Sequence, residues 1–219
     1  MAAGSQPRPF RIGIQARMAR SRAQWAEMAR RAEGLGYSSL TVPDHLDGQY
    51  GAMAEPLACA VHGMRRLGPV SGVPAVVVGA GTMGLLMLQL LVHDGAGPVA
   101  VVDRVNDRLE VARKLGAAQA VTDAAELGEA RFEVAVDATG VPAAIEAAIR
   151  VSPFRVYNDE ITITGSMAIL RSFGPAVDLL ASGTVDPRPL LSEPLPLDGF
   201  GEAVNRVRSG QGIKWHIRP

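Results

Sequence analysis

The stretch from Ala75 to Asp103, AVVVGAGTMGLLMLQLLVHDGAGPVAVVD, constrains this chain more than any other part of it. Val76-Val77-Val78 favours a buried parallel strand. Gly79, Gly81 and Gly84 follow in the spacing G-x-G-x-x-G and lead into an apolar periodic segment, Met83 to Val92. After a Gly95-Gly97-Pro98 break, a second apolar run, Val99 to Val102, ends in Asp103, which stands 19 positions after Gly84. The glycine pattern alone is a weak signal. Strand, glycines, helix, strand and terminal acid in that order are a strong one.

Each part has a physical reason. Gly79 permits the tight turn out of the strand, Gly81 lets the backbone approach a pyrophosphate, and Gly84 lets the helix pack closely on the sheet. The helix N-terminus, Thr82 and Met83 included, then offers free N–H groups and a positive dipole end to phosphates. Asp103 accepts from ribose hydroxyls and repels a 2′-phosphate, so NAD is the expected cofactor. Arg104 argues the other way, since an arginine there accommodates that phosphate. Val73 to Val92 is uncharged over 20 positions, a length that reaches across a bilayer on paper. Three internal glycines and the strand that follows argue for a buried helix instead.

The chain has 219 residues, room for one well-buried domain and an appendage. Its 22 basic and 22 acidic residues cancel, so nothing points to nucleic acid or an anionic membrane. A single cysteine excludes an internal disulfide and fits a reducing, cytoplasmic setting. Residues 8 to 22 carry five arginines and no acid, which suits a strand and helix start better than a transit peptide.

Met1 to Pro9 reads as a loose leader. Phe10 to Gln15 alternates as a strand, Ser21 to Leu35 has the apolar spacing of an amphipathic helix, and Ser39 to Val42 is a second strand. The pair should be parallel. Arg11-Ile12-Gly13-Ile14-Gln15, Ala32-Glu33-Gly34-Leu35-Gly36-Tyr37 and Thr41-Val42-Pro43-Asp44-His45 resemble the opening of luciferase-like monooxygenases. That similarity ends at His45, far short of the ~250 residues of such a barrel.

From Gly51 the resemblance changes. Ala54-Glu55-Pro56-Leu57-Ala58-Cys59-Ala60-Val61-His62, the glycine turn, Val102-Asp103, Ala112-Arg113-Lys114-Leu115-Gly116-Ala117, Asp137-Ala138-Thr139-Gly140 and Tyr157 to Ser166 stand in sequence. Together they resemble the cofactor half of zinc-dependent medium-chain alcohol and polyol dehydrogenases. The expected fold is α/β, a doubly wound, mostly parallel sheet of the Rossmann type with an N-terminal strand–helix–strand appendage. The expected divisions are 1–50, 51–188 for the NAD-binding domain, and 189–219 as a segment returning to a catalytic domain that is missing here. The returning strands are expected to lack partners.

Within that portion the residues predict a helix from Arg108 to Leu115, a strand from Gln119 to Thr122 and another from Phe132 to Val136. The turn Asp137-Ala138-Thr139-Gly140 then falls at the carboxyl end of the sheet, where such folds bind ligands. The resemblance puts it beside the nicotinamide, making Thr139 and Gly140 cofactor candidates; an ordinary turn before a helix from Pro142 to Arg150 is the alternative. The family next has a glycine-rich turn and another core strand. Here Arg150 passes straight into Val151-Ser152-Pro153-Phe154. The sheet should therefore lack a strand, or take Ile161 to Thr164 in its place. The resemblance implies a homodimer through that last strand. Further on, Ser172 to Ser182 is expected to be helical with a start near Pro175, an extended stretch to run from Leu190 to Leu197, a helix from Gly199 to Ser209 and a strand from Ile213 to Ile217.

In the resembled enzymes a zinc polarises the alcohol oxygen, held by about three protein ligands. The polyol branch implies Glu55 as a ligand or near-ligand, the catalytic candidate; the other ligands would lie in the missing domain. Cys59 reads as a small buried packing residue, and His45, His62, His93 and His216 form no ligand set with it. Zinc is therefore not expected to bind. The two joined resemblances and the gap near residue 150 suggest a hybrid or truncated chain. Three functions follow: an NAD(H)-dependent oxidoreductase acting on a small alcohol or polyol; a non-catalytic dinucleotide-binding module; and, last, a flavin-dependent monooxygenase.

Overall fold

The computed structural model describes residues 13–15, 22–35, 39–41, 51–141, 153–167 and 169–218. The expected helix at 142–150 lies outside them. The chain divides into two compact units, Met1–Gly51 and Ala52–Pro219.

In the first unit, strand β1 (Gly13–Gln15) pairs in parallel with β2 (Ser39–Thr41), with helix α1 (Arg22–Gly34) between them in sequence. The strand–helix–strand reading of the opening holds.

The second unit opens on α2 (Gly51–Leu67), whose Met53, Leu57, Ala60, Val61 and Met64 are buried. Then follow β3 (Ala75–Val78), α3 (Thr82–His93), β4 (Val99–Val102), α4 (Asn106–Lys114), β5 (Gln119–Val121) and β6 (Val134–Asp137). The four strands form one parallel sheet in the order β5-β4-β3-β6. Every residue of β4 is buried, whereas edge strand β6 alternates between half-buried and exposed positions. An all-apolar run in the middle and a mixed one at the edge follow from a sheet covered on both faces. Helix α3 is buried along Gly84 to Leu91, and its leucines join β3, β4 and α2 in one core. No helix of the described residues is long and apolar enough to cross a membrane.

The rest of the unit comprises α5 (Pro153–Asn158), α6 (Phe173–Ala181), β7 (Leu195–Pro196), α7 (Phe200–Arg208) and β8 (Ile217–Arg218). Three expectations are corrected here. Ile161 to Thr164 is not a strand: residues 161–167 carry no regular structure. The guanidinium of Arg66 on α2 donates to Thr164 Oγ1 at 3.0 Å, which ties this segment to the helix rather than to the sheet edge. Helix α6 lies where it was expected, between Ser172 and Ser182, with Pro175 in its first turn, where an N–H has no intrahelical acceptor anyway. Leu190 to Leu197 is not extended throughout, because Arg188–Leu190 closes a 3₁₀ turn and only Leu195–Pro196 is strand. The expected strand from Ile213 shrinks to Ile217–Arg218. It pairs in parallel with β7, so the returning strands satisfy each other.

Candidate functional site: the turn after β3

Gly79 leaves β3 at φ +99, a conformation that a side chain would strain. Its N–H donates to Val102 O on β4 at 2.7 Å, while Ala138 N–H donates to Val78 O at 2.9 Å. The turn is thus hung between both neighbouring strands. A Cβ on Gly79 would lie 3.0 Å from Thr139 Cγ2, so the turn after β6 touches the turn after β3. Thr139 is itself ordered by Asp137, which accepts from its hydroxyl at 2.7 Å, and Gly140 follows at φ +65.

Gly84 shows why the spacing is fixed. A Cβ there would fall 1.7 Å from Gly79 O and 3.3 Å from Val77 Cγ1, inside the backbone of the preceding turn. Gly81 is different: it is extended, at φ −78 and ψ −171, and a Cβ on it would meet nothing within 4 Å. The space beside Gly81 is open. No side chain caps α3, so the N–H groups of Thr82, Met83 and Gly84 lack intrahelical acceptors and face an uncapped, positive helix end. The Met83 side chain packs against the core, which leaves its backbone as its contribution.

Asp103 completes the arrangement. Its Oδ2 accepts from Ala80 N–H at 2.6 Å and its Oδ1 from Val105 N–H at 2.8 Å. Two backbone donors fix the carboxylate beside the turn, and each oxygen keeps a lone pair for a further donor. Arg104 next to it is exposed. A third wall, not legible in the sequence, comes from a distant loop. Thr82 Oγ1 donates to Ile213 O at 3.5 Å, and Arg108 on α4 donates to Gly212 O at 3.3 Å and to Gly210 O at 3.5 Å. The loop between α7 and β8 therefore lies against the starts of both α3 and α4.

An open cradle, uncapped N–H groups and a fixed acid fit a dinucleotide's pyrophosphate and ribose. Glu55 does not join this group. It is exposed on α2 and accepts from the Cys59 thiol at 3.3 Å. Cys59 is thus half-buried and bonded, not the packing residue that its composition suggested. Burial, then the bond to Glu55 and its charge, pushes the thiol pKa up. A thiol held protonated is a poor metal ligand. Among the described residues no group of three or more His, Cys, Asp or Glu is placed to hold a metal ion. The residues described do not fit a catalytic zinc.

Comparison with known proteins agrees with the geometry. No protein-family model matches the sequence. D-arabinitol dehydrogenase 1 from Uromyces fabae is 28% identical over 208 residues, which cover 80% of this chain and 60% of the relative. D-altritol 5-dehydrogenase from Agrobacterium fabrum is 32% identical over 198 residues, 75% of this chain and 59% of the relative. Among solved structures, an Escherichia coli alcohol dehydrogenase complexed with NADH superposes with a TM-score of 0.69 at 23% identity, over 77% of this chain and 58% of that one. The chain spans about 60% of the length of the curated relatives it matches. Its homologues are polyol and zinc-binding dehydrogenases, so the resemblance drawn from residues 51–219 stands, and with it the Rossmann-type sheet. The luciferase-like resemblance of residues 10–46 finds no support among them.

Proposed function

We propose that this chain is an NAD(H)-binding oxidoreductase of the polyol dehydrogenase type, acting on a primary or secondary alcohol. The observation that carries the reading is the turn itself. Gly84 packs under the Gly79 carbonyl, α3 begins with no side-chain cap, and Asp103 is fixed at the Ala80 amide. When bound, the nicotinamide supplies the hydride acceptor. The N–H groups of Thr82, Met83 and Gly84 would hold the pyrophosphate, and the Asp103 carboxylate would take the ribose hydroxyls and repel a 2′-phosphate. Thr139 and Gly140, against Gly79, would border the nicotinamide end. The single cysteine suits a cytoplasmic protein.

A second reading is a dinucleotide-binding module without turnover of its own. The Glu55–Cys59 bond favours it, because the one acid that the resemblance makes catalytic is engaged by a protonated thiol. Self-association through residues 161–164 belongs to either reading. Ile163 there is 61% exposed and Met167 close by is 88% exposed, so the contact would be an apolar surface rather than a shared strand.

Calorimetric titration of the full chain with NAD and NADP tests the common core, with Gly81→Val as control. Saturable NAD binding, absent in Gly81→Val and weaker with NADP, is expected. No binding at millimolar NAD overturns both readings. Alcohol-dependent NADH formation with added zinc then separates the enzyme from the module, and sedimentation reports the dimer.

A further inference from the structure

We propose that the end of α3 far from the glycine turn carries a second small-molecule site, which takes an amphipathic organic cation, an ammonium group on a short apolar body. There α2, α3 and α6 line a cavity of about 610 Å³, a size in the usual range for small-ligand pockets. Val61, Met64, Leu90 and Leu179 give it an apolar floor, and the first three are buried. Helix α3, which separates this cavity from the turn after β3, has 12 residues and is about 18 Å long. The two places are thus a helix length apart, and the cavity does not depend on the dinucleotide reading.

The sign of the ligand follows from charge. Helix α2 ends at Leu67, α3 at His93 and α6 at Ala181, and residues of all three last turns line the cavity. Each helix end brings a negative pole of about half a charge. Asp94, one residue past α3, and Asp178, in the last turn of α6, add two exposed carboxylates at the rim. Among the described residues neither is in an ion pair. The basic side chains on the same wall are His93 and Arg65. Arg65 Nη1 donates to Arg171 O at 3.1 Å, which ties that guanidinium to the chain ahead of α6, at the opposite end of the helix from Ser182. Arg66 beside it is turned to Thr164. The balance is negative above an apolar floor. An ammonium on an alkyl chain satisfies both, whereas a neutral alcohol uses only the floor and a carboxylate meets like charge.

The test is an amide NMR titration of the full chain with hexylammonium chloride, hexanol and hexanoate, repeated on Asp94→Asn, Asp178→Asn and the double variant. Hexylammonium is expected to bind saturably in the millimolar range. It should shift the amides of Leu90 to Asp94 and of Asp178 to Ser182 while leaving those of Gly79 to Thr82 in place. Hexanol should bind about tenfold more weakly than hexylammonium, and each Asn variant should hold hexylammonium about threefold more weakly than the parent. Added salt should weaken the parent in the same direction. Both substitutions fall on exposed side chains, so the thermal midpoint should hold; if a variant melts early, the three probes on the parent chain still decide. Equal affinity for hexanol and hexylammonium overturns the proposal, as does tighter binding of hexanoate. Shifts that stay linear and spread over the surface overturn it too, and so does an unchanged affinity in the double variant. NAD binding by the same sample reports separately on the glycine turn.

Discussion

The Ala80 amide donates to the Asp103 carboxylate at 2.6 Å, joining the turn that leaves β3 to the acid that ends β4. One bond therefore sets both the shape of the turn and the position of the group that would read the ribose. Asp103→Ala is expected to weaken NAD binding by about tenfold to a hundredfold, since a charged acceptor and its alignment are lost together. Binding of NADP should be spared, because the repulsive charge goes as well. Parallel calorimetric titrations with the two cofactors check this; equal losses for both would show that Asp103 shapes the turn without choosing the ligand.

The two neighbouring glycines should fail in different ways. A methyl at Gly84 collides with backbone, which cannot swing aside, so Gly84→Ala should lose about 3 kcal/mol of stability. Gly81→Val has room in the unliganded protein and an extended backbone that suits a β-branched residue. It should melt with the parent chain yet bind no NAD. Thermal denaturation and titration of the pair separate a fold glycine from a ligand glycine.

Much of this was legible in advance because the signal is local. Turn, α3, β4 and Asp103 all fall within 29 residues, and their spacing carries the geometry. Helix α2 was given no bounds in advance; the apolar spacing of Met53, Leu57, Ala60, Val61 and Met64, all buried in the structure, was the available sign. Ile161 to Thr164 has strand-like alternation, but Arg66 holds Thr164 on α2, a contact 98 positions away that no local pattern reports. The loop wall escaped for the same reason.

Gln89 presents a stability test remote from the site. It is 7% exposed on α3; its Oε1 accepts from Asp186 N–H at 2.7 Å and its Nε2 donates to Asp186 O at 3.2 Å. Gln89→Leu keeps the volume but strands both backbone groups, at a cost of about 2 kcal/mol. The melting temperature should drop by about 4–8 °C, with NAD affinity unchanged. An unchanged melting temperature would show that water reaches the Asp186 backbone.

The Cys59 thiol titrates above the ordinary range because of burial, then of its bond to Glu55 and of that residue's charge. Its thiolate fraction in mildly alkaline buffer is accordingly below that of a free cysteine, and alkylation should be slow. Glu55→Gln removes the charge, lowers the pKa and should speed alkylation about threefold. The sign for stability follows: the folded state holds this proton more tightly, so the contribution is whole below the unfolded thiol's pKa and is lost as pH climbs through the folded one. Alkylation rates against pH for both proteins test the direction.

Thr82 and Ile213 are separated by 131 positions, yet the turn beneath them is closed by contacts within β3, α3 and β4. Short-range pairings form ahead of long-range ones, since the latter first need a large loop to close. The cradle thus exists early in folding and its wall arrives late. A ligand that needs both finds nothing complete to hold until the transition state has passed. Bound dinucleotide should therefore leave the folding rate as it is and act as a brake on unfolding.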